Sequence, residues 1–176
     1  MKNTIIFFSF FLFFSCASNF NEQIIKVSEL EFNLISLENS FHSVDQQKVD
    51  DAIKAYQHNM SQIKKYYYAD TVEKEFVQLM NSYKAIKKGG KGLSKKVENI
   101  NSNIITMKQQ LSYLKADLEN QLLVKDSALF YISNEEHNLN LLNENITDYV
   151  LECDVILSLD DSLAIKVKAL INSYKE

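Results

Sequence analysis

From residue 97 to residue 118 apolar side chains fall at Val97, Ile100, Ile104, Met107, Leu111, Leu114 and Leu118, in alternating steps of three and four. That spacing lays a single seam along an α-helix, as in a coiled coil or a narrow helical bundle. The seam then moves to Leu122, Leu129, Ile132, Leu139, Leu142, Ile146, Tyr149, Cys153 and Ile156, drifting around the helix near Lys125 and Asp126. The drift predicts either a stutter in one long helix or a break capped by Asp126.

The first half repeats the pattern in shorter pieces. Val27, Leu30, Leu34, Leu37 and Phe41 form a stripe that ends near His42. Ser43 with Gln46 reads as a capping box for a second helix, whose seam is Val49, Ile53, Tyr56, Met60, Ile63 and Tyr67. Asp70 with Glu73 offers another box, ahead of Val72, Phe76, Leu79, Tyr83 and Ile86. At the far end Leu163, Val167, Leu170 and Tyr174 predict a short last helix entered through Asp160 or Asp161.

Turn chemistry is confined to one place. The chain has no proline, and its three glycines are Gly89, Gly90 and Gly92, which disfavours a sheet. The expected fold is all-α: an elongated antiparallel helical bundle or a coiled-coil hairpin, with the glycines ending one helical arm and turning the chain back. Aromatic rings on the seams favour the bundle, because wide layers fit a multi-helix core better than a narrow dimer. An extended coiled coil would instead require partner chains, as in a homo-oligomer.

The run from Ile5 to Phe14 breaks the helical pattern, being uncharged and preceded by Lys2. Its length matches a signal-peptide apolar region and falls short of the roughly 20 residues that span a bilayer. Small residues follow at Ser15, Cys16 and Ala17. A cysteine just past an apolar run resembles the lipobox of bacterial lipoproteins, although Phe13 and Phe14 stand where that family has leucine and a small residue. The resemblance implies cleavage before Cys16, acylation of Cys16 and attachment to the cell-envelope membrane, the outer one in a two-membrane cell. Ser15 and Ala17 also form a small-x-small site, which would release a soluble chain instead. The expected organisation is a signal peptide over 1–15, a lipid anchor and tether over 16–23, and one helical domain over 24–176.

Charge narrows the partners. The net charge of −4 becomes more acidic once Lys2 leaves with the leader, and all the basic residues are lysine. Nucleic acid is therefore not the expected partner, because bidentate recognition of phosphate or guanine needs the guanidinium fork. With Cys16 acylated, only Cys153 remains, on an apolar stripe, so no internal disulfide is expected and the thiol reads as a small buried hydrophobe.

No catalytic motif emerges. His42, His58 and His137 are scattered, and Glu135, Glu136 and His137 lack the Glu-x-x-His spacing of di-metal bundles. "KKGGKGLS" follows a helix and lacks the closing Lys-Ser/Thr of a phosphate loop. No enzyme, metal or cofactor is expected. Two surfaces remain as candidates. Lys84, Lys87, Lys88, Lys91, Lys95 and Lys96 surround the glycines in an otherwise acidic chain, and Tyr66, Tyr67 and Tyr68 point three ways around a helix, so at least one ring must be exposed. The lysines suit an anionic envelope polymer, and the rings suit a sugar or partner protein.

The chain broadly resembles small helical lipoproteins described as cell-wall-binding. That likeness implies a lipid-anchored envelope protein with a binding or scaffolding role. The alternatives are an accessory subunit of an envelope enzyme and a small-ligand binder with an apolar cavity inside the bundle.

Overall fold

A computed structural model of the chain describes residues 20–68 and 73–175. The apolar run, Cys16, Asp70 and Val72 lie outside the described residues. Within them the fold is all-α, with five helices: α1 (Asn21–His42), α2 (Gln46–Tyr66), α3 (Lys74–Gly90), α4 (Leu93–Glu119) and α5 (Lys125–Ser173).

Contacts group these helices into three long arms. α1 and α2 form the first arm, α3 and α4 the second, and α5 alone the third, packing against all four others. The direction of each arm follows from its pairings. Glu31 reaches Lys115 and Glu38 reaches Lys108, each at 2.7 Å, so seven residues forward in α1 are seven backward in α4. These arms are antiparallel. Lys26 to Glu136 and the rings of Phe41 and Tyr149, 5.2 Å apart, run forward together, so α1 and α5 are parallel. At about 1.5 Å per residue the 49 residues of α5 extend about 73 Å.

Most seam positions are buried where the spacing predicts. Val27, Leu30, Leu34, Phe41, Val49, Tyr56, Ile63 and Tyr83 join Ile100 to Leu118 and Ile132 to Ile156 in one continuous core. Two predicted seam residues are outside it, since Leu122 and Leu129 are exposed and Ala128 takes the interior position. The α4–α5 junction is a break rather than a stutter. There the Leu122 amide donates to the Asp117 carbonyl and the Gln121 amide to that of Leu118, while Gln121 sits at φ 55°. This is a left-handed helix stop that usually takes glycine. No side chain caps the start of α5, and Asp126 lies in its first turn.

Several boundaries differ from the sequence reading. α2 is capped by Asp45, whose carboxylate accepts from the Lys48 amide at 3.1 Å, and the Ser43 hydroxyl instead donates back to the Ser40 carbonyl. The separate last helix is absent, because α5 runs unbroken past Asp160 and Asp161. At the other end Phe20 is buried and α1 begins at Asn21.

The largest correction concerns the glycines. α3 and α4 continue one arm instead of folding against each other, so Gly89 to Gly92 make a mid-bundle kink and not a hairpin tip. Only Gly92 is left-handed, at φ 82°. Gly89 and Gly90 are helical, and their role is close approach: a Cβ at Gly89 would lie 3.1 Å from Ile156 Cγ1, and one at Gly90 2.8 Å from Ile53 Cδ1. Ile156 is fully buried and has nowhere to retreat. Gly89→Leu should therefore push α3 off α5 and cost about 1–3 kcal/mol, read as a lowered urea midpoint. An unchanged midpoint would show that the two helices do not approach so closely.

Candidate functional site

The six candidate lysines fall into two classes. Lys96 is half-buried, and its ammonium binds Glu152 of α5 at 2.8 Å. It joins Lys26, Lys108 and Lys115 in tying helices together, so its role is structural. Lys84, Lys87, Lys88, Lys91 and Lys95 are exposed, and no carboxylate among the described residues lies within ion-pair distance of them. Lys84, Lys87, Lys88 and Lys91 are spaced to share one face as α3 runs into the kink. Lys95 lies beyond the kink, on a groove of about 420 Å³ with Asn99, Ser102, Asn103 and Asn145.

The three tyrosines separate as well. Tyr68 is 86% exposed, so one of the three rings is outside. Tyr66 lies against two ammonium groups, Lys65 at 4.8 Å and Lys175 at 5.1 Å. The hydrogen bond from Lys65 and its charge, with a smaller effect of Lys175, hold the Tyr66 phenol below its usual range. Tyr67 faces inward, stacked on Phe76 with centroids 4.2 Å apart and edge-on to Tyr174 at 5.0 Å. It closes the end of the bundle.

The structure brings one member of each group together. A groove of about 310 Å³ between α2 and α3 has an apolar floor of Met60, Ile63, Tyr67, Phe76, Val77 and Met80, with Lys64 and Lys84 also lining it. Lys84 is thus the link between this groove and the lysine row along α3. Neither the lysine group nor the tyrosine group foretells the groove, because Lys64 and Lys84 are twenty residues apart in sequence and come together only where α2 packs on α3.

Other polar groups inside the bundle serve packing. Asn59, the one fully covered amide of α2, donates from Nδ2 to the Tyr83 hydroxyl at 2.9 Å, deep between α2 and α3. Sequence periodicity passes over it because the amide occupies a position that an apolar residue would fill. Cys153 is buried, and burial raises its thiol pKa, the opposite of an activated nucleophile. Burial also raises Asp160, one of whose oxygens is covered and has no hydrogen-bond partner. Among the described residues no group of three or more His, Cys, Asp or Glu side chains converges as metal ligands would, and no helix is long and apolar enough to cross a membrane. Comparison with known proteins finds no matching family model, curated protein or solved structure.

Proposed function

We propose that this chain is a lipid-anchored protein of the bacterial cell envelope, held by Cys16, whose bundle acts as a strut presenting a lysine face to an anionic envelope polymer. The observation that carries the reading is the sorting of its cations. Lys26, Lys96, Lys108 and Lys115 each pair with a carboxylate on another helix, whereas the five lysines from Lys84 to Lys95 cluster together with no carboxylate among the described residues in ion-pair distance, in an acidic protein. A mid-bundle position suits this role, since a polymer strand can then lie across the side of the strut. Each such lysine contributes on the order of 1 kcal/mol against an anionic surface, and less as salt rises.

The test is co-sedimentation of residues 17–176 with an anionic cell-wall polymer such as teichoic acid at low and high salt. Residues 17–176 keep all five helices, which among the described residues pack on one continuous core. Binding should occur at low salt, weaken at high salt and disappear in the variant Lys87→Glu, Lys88→Glu, Lys91→Glu, with helicity unchanged. Equal sedimentation of the variant and the parent would reduce the lysines to a solvated face.

A further inference from the structure

At the end of the bundle where Phe20 enters α1, a cluster of apolar side chains is exposed. The α4–α5 turn and the first turns of α5 expose Leu122 (70%), Val124 (68%), Leu129 (49%), Phe130 (62%) and Tyr131 (45%) within ten residues of sequence. The Phe130 and Tyr131 rings touch, with centroids 5.8 Å apart. Large side chains scattered singly over a surface need no explanation, but a cluster at one tip does. The turn itself holds Gln121 in a left-handed conformation that a side chain disfavours, and it projects Leu122 outward where this kind of helix stop normally packs the residue back on its helix.

We infer that this tip docks into the lipid surface that carries the Cys16 anchor, with Leu122, Val124 and Phe130 entering the interface. The inference rests on the anchor proposed above, and the argument for the occupant is distance. Phe20 is four steps along the chain from Cys16, a reach of at most about 14 Å. Phe20 is buried at the level where α1 meets the start of α5, so a lipid on Cys16 brings the membrane to this end of the bundle and no other. Charge around the tip sets which lipid it tolerates: Glu22, Asp117, Glu119 and Asp126 outnumber Lys125, so anionic headgroups repel it. Docking is therefore driven by apolar area, prefers zwitterionic to anionic lipid and tolerates salt.

The chain has no tryptophan, which permits a single-reporter experiment. Residues 16–176 are coupled through Cys16 to a maleimide lipid in phosphatidylcholine vesicles whose acyl chains are brominated. Cys153 is buried and does not compete for the reagent. Phe130→Trp should be quenched several-fold more strongly than Ile165→Trp, which lies in an exposed position on α5 about 52 Å away. The difference should persist at high salt, and adding Leu122→Asp and Val124→Asp should remove it. Equal quenching at the two positions, or none at either, overturns the inference. Sedimentation of the uncoupled domain covers the rival occupant: a dimer dispersed by Leu122→Asp would assign the patch to a second copy and equally overturn it. Because the anchor is attached chemically, a negative result here is distinct from a failure of cells to acylate Cys16.

Discussion

Cys16→Ala is expected to abolish labelling of the chain by an alkyne fatty acid in cells and to release it from the membrane fraction. The effect should be close to all-or-none. Each buried methylene contributes about 0.8 kcal/mol, and one acyl chain alone gives only marginal, reversible attachment, so the lipoprotein modification with several chains is what makes the anchor stable. Removing the thiol removes every chain at once, and the apolar tip by itself is too small to hold the protein on a membrane. Equal label in the parent and the variant would sink the anchor assignment. A mature chain beginning at Ser18 would instead establish cleavage after Ala17 and ordinary secretion.

The second large effect is alkaline unfolding. Burial raises the phenol of Tyr149 to about 12 from its ordinary 10.0, and burial likewise raises Tyr56 and Tyr83. Ionising these groups in the core is unfavourable, whereas the unfolded chain ionises them freely. The contribution of Tyr149 is therefore complete below pH 10, falls as the pH rises and is gone above about 12, and those of Tyr56 and Tyr83 change in the same direction. For Tyr149, which is 1% exposed, the loss is on the order of 3 kcal/mol. Far-UV circular dichroism should show helix melting in that window. Tyr149→Phe keeps the ring against Phe41 and should move the alkaline midpoint upward; coincident midpoints would mean that Tyr149 is not the group that titrates.

The regular parts of the bundle were legible in the chain because burial repeats with the helix. Ile100, Ile104, Met107, Leu111, Leu114 and Leu118 are interior for the reason their spacing predicts. What lay hidden depends on partners distant in sequence. Glu152 is 56 residues from Lys96, so nothing local distinguishes that lysine from its free neighbours. Gly89 looks like punctuation until Ile156 is beside it. Ser43 and Asp45 are both of a type that caps helices, and it is the Asp45 carboxylate that takes the Lys48 amide while the Ser43 hydroxyl turns back to Ser40. Of the candidate surfaces, the lysine-rich stretch and the need for one exposed ring were readable, whereas the pairing of Lys96 and the groove joining Lys64 to Lys84 required the arms to be folded together.

The position of α5 bears on the order in which the protein is made. α5 is synthesised after the four helices that pack on it, and until it emerges the seams of α1 to α4 lack a common partner. The earlier helices can pair in twos but cannot close the core. A nascent chain of this design keeps those seams open through most of its synthesis. Compaction then begins only when the last third of the polypeptide arrives.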